Sequence, residues 1–274
     1  MNNQYQIRYP LSSSALINVM IGAVQKTTMH ILRDFGEVGN LQISKKGAMD
    51  FVTATDRKVE KILYENLKKA RPDFGFIMEE GGEIAGRSEY SFVIDPIDGT
   101  TNFCHAIPYF CVSVGVQKVT EYGTELVAGV IYDPIHDEVF MAEAGKGAFV
   151  NQRRLVVSKR STDFYFVTGT SRKKGQHSRE CSILADYADG IDSVLRRAGA
   201  SALDLAYVAA GRYDAAWFPK LQKWDMAAGI IIVREAGGII CLPSGEEGYP
   251  YDELAIFAGS PDAHRTMMNH VKQK

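Results

Sequence analysis

The sequence predicts a protein of mixed α+β and α/β class, with an antiparallel sheet in its first half and alternating strands and helices in its second. Between residues 110 and 142, three apolar segments follow one another with only turns between them, which is typical of an antiparallel meander. From residue 164 onward, apolar strands alternate with segments of helical periodicity. The chain has 274 residues, of which 46% are hydrophobic, so it can bury a large core as one domain or as two closely associated halves.

Two helices are predicted before the first strand. Residues 12–14 are three serines, which are favoured at helix N-caps, and residues 15–35 follow as one packing helix that ends at Gly36. The second helix is predicted to begin at Asp56 and to end before Pro72. Its apolar side chains recur at helical spacing, at Val59, Ile62, Leu63 and Leu67.

The strands of the first half begin with residues 74–78, which lead into two adjacent acids, Glu79 and Glu80. The next strand, residues 90–94, is apolar and delivers Asp95 to its C-terminal end. Further strands of the meander are predicted at residues 110–119, 126–132 and 138–142.

The second half follows the α/β pattern. We predict the boundary between the halves at residues 158–163, which gives an N-terminal half of residues 1–158 and a C-terminal half of residues 159–274 within one compact unit. Strands are predicted at residues 164–168, 214–218, 239–242 and 254–258. Helices are predicted at residues 178–187, 201–210 and 225–236, and a last helix is predicted from Asp262.

The composition argues against several classes of function. A formal net charge of −2 provides no bulk attraction to nucleic acid or to a membrane surface. No apolar run reaches the ~18 residues that span a bilayer, and residues 1–10 lack the apolar core of a signal peptide. The four cysteines have no metal-binding spacing and are expected to be buried free thiols. The sequence therefore predicts a cytoplasmic protein without membrane or nucleic-acid partners.

One segment, residues 95–103 with the sequence DPIDGTTNF, carries the candidate chemistry. Asp95 and Asp98 can aim two carboxylates at one point, which suits a hard cation such as Mg²⁺. Gly99 lets the backbone approach a ligand closely, and Thr100 begins a predicted short helix whose N-terminus suits a phosphate. Asp-Pro and Asp-Gly are also ordinary turn formers, so a simple loop is the structural alternative. The functional alternative is metal-assisted hydrolysis of a phosphate ester.

Four further acids are candidates for the site, and each has a structural alternative, which for the adjacent pair Glu79 and Glu80 is an exposed loop. Asp56 could act at the site, or it could match its charge to a helix N-terminus. Of Glu79 and Glu80 only one can face the site, because successive side chains on an extended segment point in opposite directions. Asp225 opens a predicted helix, where aspartate is favoured as an N-cap even without a catalytic role.

Four sequence blocks together resemble the inositol monophosphatase family, in the order that the family has them. The resemblance runs from about Ser12 to the C-terminus and is nearest in appearance to bacterial members. It implies a layered αβαβα sandwich of the inositol monophosphatase / fructose-1,6-bisphosphatase type, usually dimeric, with Mg²⁺-dependent and Li⁺-sensitive phosphomonoesterase activity. The blocks are residues 50–56 (DFVTATD), 76–80 (FIMEE), 95–103 (DPIDGTTNF) and 224–238, which contains WDMAAG and EAGG.

The resemblance also implies the metal ligands. One Mg²⁺ would be held by Glu79, Asp95 and the backbone carbonyl of Ile97. A second would be held by Asp95, Asp98 and Asp225. The resemblance leaves open whether each active site binds a third ion. This set has a physical rationale, because hydrolysis of a phosphate monoester is extremely slow unless charge is stabilised on both the attacking and the leaving oxygen.

Further roles come from the same resemblance. Thr100, with Asp56 and Glu79, would orient the attacking water, and the N–H groups of Gly99 and Thr100 would cradle the phosphate. Lys45 falls where the family carries a lysine on a mobile loop near the metals, although Lys45-Lys46-Gly47 could equally be a solvated loop.

The expected substrate is inositol monophosphate or a related small phosphorylated polyol. The family's contacts to the substrate alcohol fall on Gly199, Ala200 and Ser201. Phe218 stands where the family usually has an acid, and a phenyl ring cannot accept hydrogen bonds from hydroxyls. Losing one such bond weakens binding by roughly 0.5–1.5 kcal/mol. The remaining predicted substrate contacts are Asp98, Gly99, Thr100 and Asp225.

The competing class is a regulatory protein that acts with the bacterial transcription or RNA-processing machinery, as some bacterial members of the family are thought to do. The near-neutral charge and the lack of an RNA-binding motif give this class no support from the sequence. The most basic segment, residues 169–179, is either a solvated loop or a border of the pocket that attracts an anionic substrate.

Overall fold

The protein folds into a layered αβαβα sandwich, as the sequence predicts. The structure, a computed structural model, describes residues 14–41, 45–160, 164–169, 192–244 and 248–272. Within these residues, N-terminal helices cover one face of an eight-stranded sheet, and two helices separate that sheet from a five-stranded one. The C-terminal helix packs on the second sheet. None of the helices in the described ranges has the length and apolarity needed to cross a membrane.

The first helical layer differs from the prediction in where its helices begin and end. Ser14 caps the first helix by accepting a hydrogen bond from the N–H of Ile17 at 3.2 Å, in agreement with the predicted serine cap. The single helix predicted over residues 15–35 is wrong, because Thr27 interrupts it. The Thr27 hydroxyl donates to the carbonyl of Val24 at 2.6 Å and competes with the helical pattern. The helices are α1 (Ala15–Gln25), α2 (Thr28–Leu41) and α3 (Lys45–Ala70).

Helix α3 also corrects two predictions. Its backbone is helical from Lys45 onward, so Lys45 does not lie on a loop and Asp56 does not begin the helix. The segment before Asp56 contains no proline, and its one glycine, Gly47, costs only ~1 kcal/mol within a helix. The predicted role of the Lys45 side chain lies outside the described residues, because side chains between residues 39 and 53 are not described.

The first sheet confirms the predicted antiparallel meander. Its strand order is β2-β1-β3-β4-β5-β6-β7-β8, and only the β1–β3 pair is parallel within the described sheet. Strands β2, β7 and β8 were not predicted, because each has three residues or fewer and no readable alternation. The elements are β1 (Gly75–Met78), β2 (Gly82–Ile84), β3 (Tyr90–Asp98), α4 (Thr100–Cys104), β4 (Cys111–Thr120), β5 (Gly123–Asp133), β6 (Glu138–Glu143), β7 (Ala148–Val150) and β8 (Arg153–Arg154).

The second sheet has the order β10-β9-β11-β13-β12. The strands predicted near residues 164, 214, 239 and 254 are present, as are the helices predicted near 201, 225 and 262. The predicted helix at residues 178–187 and the basic segment after Gly169 lie outside the described residues. The elements are β9 (Phe164–Gly169), β10 (Asp192–Arg196), α5 (Ser201–Ala209), β11 (Ala215–Phe218), α6 (Lys223–Glu235), β12 (Ile239–Cys241), α7 (Pro250–Glu253), β13 (Ile256–Gly259) and α8 (Pro261–Lys272).

Helix α6 lies between the two sheets and positions one end of the candidate site. It is apolar on all sides, and every residue from Met226 to Val233 is buried, as expected for a helix inside a core. It packs closely on the first sheet, since a Cβ atom added at Gly115 of β4 would lie 2.7 Å from the Cβ of Ala227. The N-terminus of α6 therefore lies close to the C-terminal end of β3. The division into halves near residue 158 stays a prediction.

Candidate active site

The candidate site is a cleft of about 320 Å³ between the two sheets. The ends of β1 and β3, helix α4, the N-terminus of α5 and the segment from β11 to α6 bound it. Of the predicted site residues whose side chains the structure describes, all except Asp56 line this cleft. They are Glu79, Asp95, Ile97, Asp98, Gly99, Thr100, Gly199, Ala200, Ser201, Phe218 and Asp225.

A bulge at the end of β3 brings Asp95 and Asp98 to the same face of the sheet. Asp95 lies opposite Ser113 and Asp98 lies opposite Cys111, so β3 contains one extra residue between these two pairs. Without the bulge, residues three apart on a strand would point to opposite faces. Pro96 fits at this position because a bulge does not require its missing N–H. The bulge thus gives the two carboxylates a common direction.

Asp95, Asp98 and Asp225 form a tight acidic cluster, in which one ligand atom from each lies within 4.8 Å of the others. Asp95 is 2% exposed and Asp98 is 7% exposed. Burial, and then the charge of Glu79, raise the pKa of Asp95 well above its usual range, while burial and the charge of Asp225 do the same for Asp98.

The donor set of this cluster fits a divalent cation. Oδ1 of Asp95 is buried and has no hydrogen-bond partner in the described part of the chain. Within that part, neither Asp95 nor Asp98 forms an ion pair with a lysine or an arginine. Buried carboxylates normally require a paired charge or a coordinated metal. Oxygen ligands arranged in this way suit Mg²⁺, so the residues present fit the ion that the sequence predicts.

Asp98 also joins the first sheet to helix α5. Its Oδ2 accepts a hydrogen bond from the N–H of Ala202 at 2.6 Å, and the hydroxyl of Ser201 donates to Oδ1 at 3.4 Å. These groups belong to the first turn of α5, where unsatisfied N–H groups favour a negative charge. Ser201 is therefore held by Asp98, and the segment from Gly199 to Ser201 forms one wall of the cleft.

Asp225 combines the two alternatives that the sequence left open. It is the third residue of α6 rather than the N-cap, because the helix begins at Lys223. Its Oδ2 accepts a hydrogen bond from the N–H of Gln222 at 2.8 Å, which is the backward contact of a capping box. The same side chain belongs to the acidic cluster, so Asp225 supports the helix terminus and the candidate metal site together.

Helix α4 begins directly after the bulge and forms the floor near Gly99. Gly99 has φ +96°, in the left-handed region that favours glycine, and an added Cβ would lie 3.1 Å from the Cβ of Ala200. The hydroxyl of Thr100 donates to the carbonyl of Ile97 at 3.1 Å. The Thr100 hydroxyl therefore contacts Ile97 in this arrangement and not its predicted partner Asp56.

Glu79 and Glu80 lie in the turn after β1, and their side chains point in different directions. Glu79 lines the cleft beside Asp95, while Glu80 lies outward and pairs with Arg57 at 3.3 Å. Asp56 is 5% exposed and its Oδ1 has no hydrogen-bond partner among the described atoms. Burial, and next the charge of Glu79, raise the pKa of Asp56 to about 8. Asp56 is thus electrostatically coupled to Glu79 without lining the cleft.

Asn102 is a site residue whose role the sequence did not reveal. Its Nδ2 donates to the carbonyl of Tyr109 at 2.7 Å and to the carbonyl of Ala198 at 2.8 Å. These bonds hold α4 against the segment that leads to Gly199. Asn102 lies inside the recognised motif, but its partners are distant in sequence, so no local pattern could have identified them.

Asp204 is a second site residue that the sequence analysis missed. It lines the cleft, is 1% exposed and accepts hydrogen bonds from the hydroxyls of Tyr109 at 2.5 Å and Thr168 at 2.8 Å. Burial raises its pKa to about 7, against the effect of these two bonds. One signal could have found it, because Asp204 is the only acid in an otherwise apolar helical segment, Ser201–Ala209.

The wall formed by Phe218 is apolar. Phe218 is 1% exposed and lines the cleft together with Leu221 and Trp224. Its ring offers no acceptor for a substrate hydroxyl, and its contact with the substrate stays a prediction.

We expect Gly99→Ala to reduce both stability and activity, whereas Gly145→Ala, its control, reduces stability alone. Both glycines have positive φ, but an added Cβ meets Ala200 and the Tyr109 carbonyl at Gly99 and meets nothing within 4 Å at Gly145. The left-handed conformation costs ~1–2 kcal/mol in either variant. The clash at Gly99 should also lower kcat/KM at least roughly 10-fold, since a misplacement of ~1 Å can cost about 10²-fold.

Thermal melts and steady-state kinetics of the two variants test this expectation. Equal activity in Gly99→Ala and Gly145→Ala would show that the close approach at Gly99 does not matter for the site.

Buried carboxylates beside helix N-termini define a site of the metal-dependent phosphate-ester class. The family model described as "Inositol monophosphatase family" matches residues 12–274. The chain belongs to this family and is an inositol monophosphatase-like phosphoric monoester hydrolase, as the four sequence blocks predicted.

Individual relatives resemble the chain over nearly its whole length. The inositol-1-monophosphatase of Rhizobium meliloti (strain 1021) is 47% identical over 267 residues, which cover 96% of this chain and 98% of the relative. The Nus factor SuhB of Pseudomonas aeruginosa is 37% identical over 268 residues, covering 94% and 96%. The crystal structure of extragenic suppressor protein suhB from Bartonella henselae is 44% identical, with a TM-score of 0.82 and coverage of 95% of this chain and 99% of that one.

Proposed function

We propose that this protein hydrolyses a small phosphorylated polyol, such as inositol monophosphate, with Mg²⁺ as its cofactor. The observation that carries the proposal is the cluster of Asp95, Asp98 and Asp225 at the base of the cleft. The names of relatives such as the Rhizobium meliloti inositol-1-monophosphatase support the choice of substrate. The proposal includes a homodimer in the cytoplasm, which the family resemblance implies and which sedimentation of the purified protein tests.

The proposed metal ligands are the acids around the bulge and one backbone carbonyl. Glu79, Asp95 and the carbonyl of Ile97 would hold one Mg²⁺, and Asp95, Asp98 and Asp225 would hold a second. When bound, Mg²⁺ would stabilise negative charge on the attacking and leaving oxygens of the phosphate ester. Asp95 is common to both groups of ligands, and its unpartnered Oδ1 is consistent with that double role.

The chain itself would bind the phosphate and guide the water. The backbone N–H groups of Gly99 and Thr100 at the start of α4 would bind the phosphate oxygens. The hydroxyl of Thr100 would orient the water as a hydrogen-bond acceptor, which it can do while it donates to the carbonyl of Ile97. Asp56 and Glu79 would orient the water together with Thr100, and the effect of the Glu79 charge on the pKa of Asp56 supports a shared role.

The substrate contacts proposed for the alcohol are on the wall that leads into α5, beside Asp98. Gly199, Ala200 and Ser201 would contact the leaving group together with Phe218. A cleft of about 320 Å³ suits a small ligand, since ligand sites usually measure ~300–1,000 Å³. The apolar Phe218 favours polyols that do not need an acceptor at this position.

The test of this function is phosphate release from four phosphomonoesters with and without Mg²⁺. They are myo-inositol 1-phosphate, glycerol 2-phosphate, fructose 1,6-bisphosphate and adenosine 3′,5′-bisphosphate. We expect Mg²⁺-dependent release, with a preference for polyol phosphates over the nucleotide. A folded protein that binds Mg²⁺ but releases phosphate from none of them would contradict the proposal.

A second candidate function is regulation of transcription, because one relative of 37% identity is named Nus factor SuhB. This function would not need the acidic cluster. It would be supported if RNA polymerase bound equally to wild type and to Asp95→Asn in a pull-down with purified proteins.

We expect the metal-free protein to become less stable as the pH rises from about 4 to 8. The pKa of Asp56 is raised to about 8 and that of Asp204 to about 7, so the folded state binds more protons than the unfolded state in this range. The free energy of unfolding must therefore fall as these protons are lost. Mg²⁺ should offset this loss of stability. Each kcal/mol of the free energy of unfolding corresponds to roughly 2–4 °C in Tm.

Melting curves at pH 6 and pH 8, in EDTA and in Mg²⁺, measure this effect. An equal or higher Tm at pH 8 in EDTA would contradict it, and K⁺ at the same ionic strength serves as the control for salt.

A further inference from the structure

Glu60 of helix α3 is a buried carboxylate that the proposed mechanism does not use. It is 6% exposed, and its Oε2 accepts a hydrogen bond from the N–H of Glu80 at 2.9 Å. The backbone of Gly81 is hydrogen-bonded to the same carboxylate. The contact is close, since a Cβ atom added at Gly81 would lie 2.9 Å from Oε1 of Glu60. Glu60 thus holds the backbone of the turn that joins β1 to β2.

The chemistry at this position requires a carboxylate. In the described ranges Glu60 has no ion pair with a lysine or an arginine, and the two backbone N–H groups counteract the cost of its burial. A carboxylate offers two acceptor oxygens and no donor, so it matches two N–H groups that point towards it. A glutamine would present one donor to these N–H groups instead of an acceptor.

The turn held by Glu60 carries Glu79. The N–H of Glu79 donates to the carbonyl of Ile94 at 3.2 Å, and the next N–H along the chain is held by Glu60. Arg57, one turn earlier on α3, pairs with the side chain of Glu80 on the outer side. Because its side chain and its N–H are both held by α3, Glu80 fixes the turn in the arrangement in which Glu79 lines the cleft.

We propose that Glu60 is a positioning residue, which fixes the Glu79–Gly81 turn so that the carboxylate of Glu79 is directed into the cleft before any metal binds. The inference rests on the proposed function, in which Glu79 is a metal ligand. Glu60 acts through the backbone and touches neither substrate nor metal. Its effect should therefore fall on the affinity for Mg²⁺ and not on the chemistry at saturating Mg²⁺.

The test compares Glu60→Gln with Glu65→Gln, an exposed glutamate on the same helix that pairs with Lys61 at 3.9 Å. Calorimetry on the metal-free proteins gives the Kd for Mg²⁺, and amide hydrogen exchange reports the protection of Glu80 and Gly81. We expect Glu60→Gln to raise the Kd for Mg²⁺ roughly 10-fold, as residues that orient metal ligands usually do. Exchange at Glu80 and Gly81 should accelerate, while kcat at saturating Mg²⁺ and the KM for substrate stay near wild type.

A second variant approaches the same contact from the other side. Gly81→Ala places a methyl group against the Glu60 carboxylate and should weaken Mg²⁺ binding in the same way, even if Glu60→Gln does not fold. An unchanged Kd and unchanged exchange in either folded variant overturn the inference, as does a lower Tm with no change in the Kd for Mg²⁺. If wild type itself neither binds Mg²⁺ nor hydrolyses phosphate esters, the proposed function fails first, and the inference fails with it.

Discussion

Asp95→Asn is expected to lower kcat/KM for phosphomonoesters at least roughly 10³-fold, equivalent to ~4 kcal/mol of transition-state stabilisation. Asp95 is the acid that both proposed metal positions share, and its Oδ1 is buried without a hydrogen-bond partner in the described chain. Asparagine keeps the shape of the side chain but removes its charge. The variant should therefore lose Mg²⁺ binding along with activity, which calorimetry and phosphate release measure.

In the absence of metal, the same substitution should stabilise the fold, although it removes activity. Burial of Asp95, and then the charges of Glu79, Asp98 and Asp225, raise its pKa, which means that ionised Asp95 destabilises the metal-free fold. Removing that charge should raise the Tm in EDTA and abolish the further rise on adding Mg²⁺. A merely damaged protein would melt lower in both conditions.

A matched control for this experiment is Asp73→Asn. Asp73 is exposed and forms a surface ion pair with Arg87 at 2.6 Å. Such pairs contribute ~0–1 kcal/mol, so the control should keep wild-type activity and Mg²⁺ response. Activity above one tenth of wild type in Asp95→Asn would contradict the shared-ligand role.

The sequence was most informative where the periodicity of apolar residues matched the strand or helix that the segment forms. The strand that carries Asp95 and the apolar helix Lys223–Glu235 were predicted within a few residues, because neither could be buried in another way. The helix boundaries near Thr27 and Lys45 were not predicted. A single side-chain hydrogen bond decided the boundary at Thr27, and a glycine tolerated within the helix decided the one at Lys45. Energy differences of this size do not change the periodicity of apolar residues, so the sequence pattern does not indicate them.

The acids of the candidate site could be named from the sequence, but their arrangement could not. Asp95 and Asp98 share a face only because of the bulge beside Pro96, and nothing in the motif indicates an extra residue in the strand pairing. The supporting contacts join positions far apart, such as Asn102 with Ala198 and Glu60 with Glu80. These contacts depend on the packing of separate layers, which no local pattern reports.

Thr100→Val is expected to lower kcat roughly 10²–10³-fold with little change in KM, the size of a lost proton-transfer or water-orienting group. Valine has the shape of threonine without the hydroxyl. The variant also loses the hydrogen bond to the Ile97 carbonyl, at a cost of ~0.5–1.5 kcal/mol in stability. A modest drop in Tm with a large drop in kcat is therefore the expected combination, measured by melts and steady-state kinetics at saturating Mg²⁺.

Two companion variants separate catalysis from structure at this position. Thr100→Ser keeps the hydroxyl and should retain most of the kcat, although it removes the methyl group. Thr101→Val changes the neighbouring threonine, which also lines the cleft but is exposed and has no proposed role, and should leave kcat within about two-fold of wild type. If Thr100→Val retained wild-type kcat, the water would have to be oriented by Glu79 or Asp56 alone, because no other hydroxyl in the first turn of α4 is proposed to reach it.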